Sequence, residues 1–140
     1  KRQFKNCPPE VDGFLRTGDQ GHKNDDGYLV LTGRIKELIN RSGEKISPLE
    51  LDNALLALPY VKEAVSFGVP DEMYGELVGA VVVLQGDAPA DVSQERIQAD
   101  LSKSLAKFKI PVRVWITGNI PKTYVSYPLT TALRAKFNAE

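Results

Sequence analysis

The sequence has few of the residues from which covalent cross-links and metal centres are built. It contains one cysteine, Cys7, and one histidine, His22. A single cysteine excludes an internal disulfide framework and a cysteine-cluster metal site, and a single histidine excludes a site built on two histidines. We therefore expect no metal ion bound by this chain itself. Cys7, which precedes two prolines, is interpreted as an inert thiol.

Long apolar runs and an excess of either charge are also missing. The longest apolar run, from Leu77 to Leu84, is too short to cross a bilayer. Lys plus Arg and Asp plus Glu number 18 each, so the formal net charge is zero. This balance argues against a wholly basic nucleic-acid binder and against an acidic disordered chain. No signal peptide opens the sequence, and together with the short apolar runs this leads us to expect no membrane partner. Because the sequence does not begin with Met, we expect it to be an excerpt of something longer.

What is present is typical of one globular domain with, at most, a small second module. The 140 residues are 42% hydrophobic, which is enough to bury a core without covalent staples. The charges are distributed unevenly, because residues 101–139 contain seven Lys or Arg and no Asp or Glu. This cationic stretch is interpreted as a solvated face, with an anion-facing surface for phosphate or RNA as the alternative.

Turn and capping signals predict a hairpin followed by two helices. Asp26-Gly27, between short apolar runs, is typical of a β-hairpin turn. The segment Ser47-Pro48-Leu49-Glu50 predicts a helix start in which Ser47 and Glu50 form a capping box. That helix should end before Pro59, and Ser93 should cap the second helix. The apolar positions of the two helices should form buried faces: Leu51, Leu55, Leu58, Ile97, Leu101 and Leu105.

The remaining apolar runs predict strands around Val65, Val81 and Val114. The order after residue 40 is then helix, strand, strand, helix, strand. This order predicts an α+β fold in which helices pack on a small mixed sheet, preceded by the separate hairpin. The segment 35–40 is left as a short strand or an extended connector. After Lys122 the signals fade, with a strand or loop at 124–128 and a frayed helix at 130–138.

Two stretches are candidates for binding chemistry. Thr17-Gly18-Asp19 places a carboxylate beside a glycine, where it either accepts paired hydroxyl hydrogens, as from a ribose, or simply forms a turn. The segment 33–48 places four basic residues and two glycines ahead of a helix N-terminus. Such a segment suits phosphate or a narrow passage for a ligand.

The same stretches carry a family resemblance. The run GFLRTGDQGHKNDDGYLVLTGRIKELINRSGEKISPLELD closely resembles the acyl-CoA synthetases of the adenylate-forming, AMP-binding superfamily. The resemblance continues through AVSFGVPDEMYGE and FKIPVRVWITGNIPKT, so it extends from about Gly13 to Thr123. The wording GRIKELINRSGEKISP is most similar to the peroxisomal and plant oxalyl-CoA synthetase branch.

The resemblance implies an activity and a domain organisation. Such ligases join a carboxylate to ATP, which is accompanied by Mg²⁺, release pyrophosphate, and then transfer the acyl group from AMP to CoA. A large N-terminal domain would be the partner of a small C-terminal domain that rotates between the two half-reactions. Residues 1–35 would then be the end of the large domain, 36–123 the rotating domain and 124–140 a divergent tail. ATP, AMP and CoA would be substrates, and no cofactor is expected to stay tightly bound.

The resemblance also assigns roles to individual residues. Asp19 would hold the ribose hydroxyls and Arg34 would contact the nucleotide. Lys36 occupies the hinge position. CoA binding would fall to three residues of the following loop: Gly43, Glu44 and Lys45.

The closing motif of the family departs from its usual form. The family reads P-K-T-x-x-G-K, and its final Lys stabilises charge during adenylation. Pro121-Lys122-Thr123 match, but Ser126 stands at the Gly position and Tyr127 at the Lys position. Tyrosine supplies no mobile ammonium, so no catalytic residue is expected to be intact. The abrupt end of the match suggests an alternative coding end or a frameshift.

Two further expectations follow. The chain alone, without the large domain, should not turn over. The resemblance implies a cytoplasmic or peroxisomal location, although the final residues are not the peroxisomal tripeptide of relatives. The alternative function is a non-catalytic interaction protein that keeps the fold and binds RNA or a nucleotide through the cationic stretch.

Overall fold

The computed structural model describes residues 16–122 together with Leu133, Ala135 and Lys136. Its strands are β1 (Asp19–Lys23), β2 (Leu29–Arg34), β3 (Ile39–Arg41), β4 (Glu44–Ile46), β5 (Val61–Asp71), β6 (Gly75–Leu84) and β7 (Arg113–Ile116). Its α-helices are α1 (Pro48–Leu56) and α2 (Gln94–Leu101), and 3-10 helices cover Ile35–Glu37 and Lys107–Lys109. None of the helices in these described residues is long and apolar enough to cross a membrane.

The strands form two separate sheets. β1 and β2 pair as an antiparallel hairpin, and the other five form a mixed sheet in the order β4-β3-β6-β5, with β7 beside β6. β7 runs parallel to β6. The crossover connection between them, which contains α2, returns the chain to the end of the sheet at which β6 begins. The predicted α+β fold, with a mixed sheet preceded by a hairpin, is confirmed.

The mixed sheet is covered on both faces. One core cluster joins Leu55 of α1 and the α2 residues Ile97 and Leu101 to β6. A second cluster contains Val65, Phe67, Val81, Val83, Ile120 and Leu133. Successive residues of β6 alternate between the two clusters, as the two-residue period of a strand requires. The predicted burial of Leu51, Leu55, Ile97 and Leu101 is confirmed, whereas Leu58 and Leu105 lie beyond the ends of the two helices and are half-buried.

The two predicted helix caps have different outcomes. The Ser93 hydroxyl accepts a hydrogen bond from the Arg96 N–H at 3.4 Å, so the cap of α2 is confirmed. The capping box of α1 is wrong. The Ser47 hydroxyl donates to the Thr32 carbonyl instead, and the Glu50 carboxylate accepts from Lys109 Nζ at 2.6 and 2.8 Å. Partners from other elements compete successfully with the local backbone N–H groups.

The segment left open between residues 35 and 40 has a defined form. It is a 3-10 helix followed by β3, which turns at Ser42-Gly43 into β4. At the other end, Leu133, Ala135 and Lys136 are helical, and Leu133 is buried. Residues 124–128 lie outside the described part of the chain, as do Cys7 and Tyr127.

Candidate functional site

Asp19 and Arg34 face each other across the hairpin. They are direct partners in the β1–β2 register, and Arg34 Nε lies 3.4 Å from Asp19 Oδ1. Gly18, just before, has a φ of +81°, and its carbonyl accepts from Ile35 N–H at 2.9 Å. The structure thus brings the two sequence-predicted nucleotide residues together at the open end of the hairpin, with both side chains accessible to a ligand.

Lys36 lies between the two sheets. It is the central residue of the 3-10 helix Ile35–Glu37, which follows β2 directly and in which no residue is buried. The hairpin also contacts the helical layer, because the Ser47 hydroxyl donates to Thr32 O. A Cβ at Gly33 would come within 2.9 Å of Ser47 Oγ, so glycine at this position allows the close approach of β2 to α1.

Gly43 is at the tip of the β3–β4 hairpin. Because Arg41 pairs with Glu44, Ser42 and Gly43 form a two-residue turn, and their φ values of 49° and 95° are both positive. Positive φ at both positions is typical of the tight hairpin turns that match strand twist. A Cβ at Gly43 would meet no atom within 4 Å. Open space therefore lies beside this turn, and Glu44 and Lys45 follow it as exposed residues of β4.

Four neighbours hold this turn in place. Gly43 N–H donates to Asn40 Oδ1 at 3.1 Å, and Asn40 N–H donates to Glu76 Oε2 at 2.8 Å. Ser42 N–H donates to the Tyr74 carbonyl at 2.8 Å. The Arg41 guanidinium lies 4.3 Å from the centre of the Tyr74 ring, a cation–π contact.

Sequence reasoning missed this support. None of Asn40, Tyr74 and Glu76 is among the site residues that the sequence predicts. The dipeptide Ser42-Gly43 between Ile39 and Ile46 is a signal for the turn itself. No local signal identifies Glu76, which is 36 residues from its partner Asn40.

A half-buried carboxyl group, that of Asp52, is on α1 and faces β5. Asp52 Oδ1 accepts from Ser66 N–H at 2.6 Å. The pKa of Asp52 is raised to about 7, mainly by burial and to a smaller extent by the Glu37 carboxylate, while hydrogen bonding to Ser66 opposes the rise. Glu37 is the last residue of the 3-10 helix that contains Lys36. The carboxyl groups of Asp52 and Glu37 therefore interact electrostatically at the connection between the two sheets.

The cationic stretch is engaged in ion pairs within the domain. Lys103 lies 2.7 Å from Asp100, Lys109 lies 2.6 Å from Glu50, and Lys122 lies 2.8 Å from Glu63. This arrangement favours the interpretation of the stretch as a solvated face. Within residues 16–122, 133, 135 and 136, no group of three or more His, Cys, Asp or Glu side chains is placed to hold a metal ion.

Comparisons with known proteins match most of the described chain. The family model described as "AMP-binding enzyme C-terminal domain" matches residues 50–125. The oxalate–CoA ligase of Saccharomyces cerevisiae is 53% identical over 112 residues, which is 80% of this chain and 20% of that protein. The oxalate–CoA ligase of Arabidopsis thaliana is 54% identical over 111 residues, 79% of this chain and 21% of that protein.

A solved structure supports the same match in three dimensions. The o-succinylbenzoate CoA synthetase of Bacillus subtilis, in complex with its acyl-adenylate intermediate, has a TM-score of 0.81 and 32% identity. The alignment covers 89% of this chain and 25% of that one. The chain thus spans about a fifth to a quarter of the length of these relatives.

Proposed function

Because this chain belongs to the family of AMP-binding enzyme C-terminal domains, we propose that it serves as the rotating C-terminal part of an AMP-forming acid–CoA ligase. The intact enzyme would form an acyl-adenylate from a carboxylate and ATP, and then an acyl-CoA thioester. The observation that carries the proposal is the separation of two accessible groups. The Asp19–Arg34 pair lies on the hairpin, the Gly43 turn lies on the mixed sheet, and the segment containing Lys36 connects them.

The hairpin is proposed to serve adenylation. An ionised carboxylate is a pure acceptor with two oxygens, so Asp19 can receive both hydroxyl hydrogens of a ribose. The guanidinium of Arg34, with Nε 3.4 Å from Asp19 Oδ1, holds that carboxylate in place. Mg²⁺ would enter with the phosphates of ATP, which are oxygen ligands of the kind it prefers.

The Gly43 turn is proposed to serve thioester formation. The thiol of CoA is at the end of a long, narrow chain, which has to pass close to the protein backbone. Glycine at position 43 leaves space for this passage because it has no Cβ. Lys45, exposed on β4, adds a positive charge for a phosphate group of CoA, and Glu44 lies beside it. Rotation about Lys36 would exchange the two faces, since a two-step reaction at one site needs a part that moves.

The partner of the domain is proposed to be the large N-terminal domain, which would hold the carboxylate. The names of two relatives, both oxalate–CoA ligases, support oxalate as the acid and oxalyl-CoA as the product. The chain by itself is proposed not to turn over. We propose a cytoplasmic or peroxisomal location, as the resemblance to the peroxisomal and plant branch implies.

The proposal is tested with a chimera in which residues 16–140 replace the corresponding C-terminal part of the yeast oxalate–CoA ligase. The two half-reactions are assayed separately: pyrophosphate release from ATP with oxalate, and acyl transfer from a pre-formed adenylate to CoA. We expect transfer to proceed and the isolated chain to release no pyrophosphate above background. A folded chimera without transfer would contradict the proposal. Transfer is chosen because Tyr127 leaves it untouched in the proposed division of roles.

A further inference from the structure

The Gly43 turn is connected to a carboxylate on β6 by two consecutive hydrogen bonds. Glu76 Oε2 accepts the N–H of Asn40 at 2.8 Å. Asn40 Oδ1 in turn accepts the N–H of Gly43 at 3.1 Å. The main chain and the side chain of one residue, Asn40, therefore relay the position of Glu76 to the tip of the turn.

The backbone pairing between β3 and β6 is short, and the Glu76 side chain adds a contact beside it. β3 joins β6 at the pairing of Arg41 with Gly75, near the end of each strand. Asn40 is one residue earlier in β3, and Glu76 is one residue later in β6. At this next position a side-chain carboxylate, that of Glu76, accepts the Asn40 N–H in place of a backbone carbonyl. A hydrogen bond to an ionised acceptor is about twice as strong as one between neutral groups. Glu76 is thus suited to fix the turn rather than merely to solvate it.

The neighbouring glycine is consistent with this geometry. Gly75 has a φ of +77°, and a Cβ there would lie 3.6 Å from the Asn40 carbonyl. Its left-handed conformation turns the chain into β6 just before Glu76. The entry to β6 is therefore shaped so that the carboxylate of Glu76 meets the N–H of Asn40.

We propose that Glu76 is a positioning residue for acyl transfer to CoA: through Asn40 it fixes the N–H of Gly43 and thereby the open space beside the turn. The inference rests on the proposed role of the turn in thioester formation. Glu76 touches no reacting atom in this scheme. Its contribution is to hold the turn in one conformation, since a displacement of about 1 Å can cost about a hundredfold in rate.

The test uses three variants in the chimera described above. Glu76→Ala removes the acceptor, Glu76→Gln keeps an oxygen acceptor without the charge, and Asp100→Ala is the matched control. Asp100 also accepts two hydrogen bonds, from Tyr60 at 2.8 Å and from Lys103 at 2.7 Å, but it lies on α2. We expect Glu76→Ala to raise the KM for CoA in the transfer step about tenfold, the effect of one hydrogen bond to a charged group. Adenylate formation should stay within about twofold, and Glu76→Gln should restore most of the transfer.

A second readout is independent of activity. Hydrogen exchange of the Gly43 amide, measured by NMR in the 140-residue chain, should be about tenfold faster in Glu76→Ala and unchanged in Asp100→Ala. If the parent chimera transfers normally and Glu76→Ala does so too, the inference is wrong. If both half-reactions fall equally, Glu76 is a general stability residue and the inference is also wrong. If the parent chimera does not transfer, the proposed function fails, and unchanged Gly43 exchange would then overturn the positioning role by itself.

Discussion

The Ser47 hydroxyl donates a hydrogen bond to the Thr32 carbonyl, and this contact joins the hairpin to the first residues of α1. Ser47 stands at the N-cap of α1 but makes no capping hydrogen bond. Its side chain instead connects the hairpin, which we propose to be part of the large domain, with α1, which we propose to be part of the rotating domain. The proposed rotation about Lys36 would have to break this contact, so we expect the contact in only one of the two proposed conformations.

Ser47→Ala should loosen the hairpin and leave the start of α1 intact. The loss of one hydrogen bond is expected to cost about 1 kcal/mol, seen as faster hydrogen exchange in β2. Ser93→Ala is the matched control, because Ser93 does cap its helix, and it should speed exchange at the start of α2 by a similar amount. Faster exchange at the start of α1, with β2 unchanged, would show that Ser47 acts as a cap after all.

Gly43→Ala should impair acyl transfer much more than adenylation. The new methyl group enters the open space beside the turn, and the φ of 95° strains any L-residue. We expect transfer in the chimera to fall about tenfold to a hundredfold, with pyrophosphate release within about twofold. Gly27→Ala carries the same kind of strain at φ +87° in the hairpin turn, and it should leave transfer unchanged. Equal losses in the two variants would mean that strain, not the passage for CoA, explains the effect.

Asp52 should make the stability of the chain depend on pH. Its pKa is raised to about 7, so between about pH 4 and pH 7 the unfolded chain has lost the proton that the folded chain keeps. The free energy of unfolding should therefore fall as pH rises through this window, by at most about 4 kcal/mol from this group, and level off above it. The sign is opposite to that of Asp100, whose pKa is lowered by hydrogen bonds from Lys103 and Tyr60.

Asp52→Asn isolates this contribution. The amide oxygen can still accept from Ser66 N–H, but it does not titrate. Urea unfolding of both proteins at pH 4 to 8 should show a difference in unfolding free energy that changes with pH only between about 4 and 7. A difference that is constant across the range would show that the Asp52 carboxyl has an ordinary pKa.

Tyr127→Lys combined with Ser126→Gly should restore part of the adenylation rate in the chimera. An ammonium would then reach the charge that develops during adenylate formation, and one such contact is worth about a hundredfold to a thousandfold in rate. Pyrophosphate release measures the gain, and acyl transfer should not change. A graft of the complete closing segment of the family is the control for a misplaced tail. Normal adenylation with Tyr127 in place would assign the charge to another residue, with Lys122 as the first one to test.

The sequence by itself determined the elements whose signals are local. The apolar residues of α2 recur with helical spacing, so the burial of Ile97 and Leu101 follows from periodicity. Ser93 finds its partner three residues away. The Asp26-Gly27 turn sets the first hairpin, and the motifs around Asp19, Arg34 and Gly43 identify the family without reference to any contact.

Only the tertiary structure decided which partners those residues have. Ser47 is of a residue type, and at a position, typical of a helix N-cap. Its hydroxyl nevertheless donates a hydrogen bond to the carbonyl of Thr32, 15 residues away. Glu76 reaches Asn40 across 36 residues, and Asp52 has a raised pKa because β5 covers it. Such pairings depend on how strands and helices pack, and local patterns carry no information about a partner that only folding brings close. The physical reason is that a donor within reach of several acceptors bonds to the acceptor that packing has shielded from water, because that acceptor has no other partner.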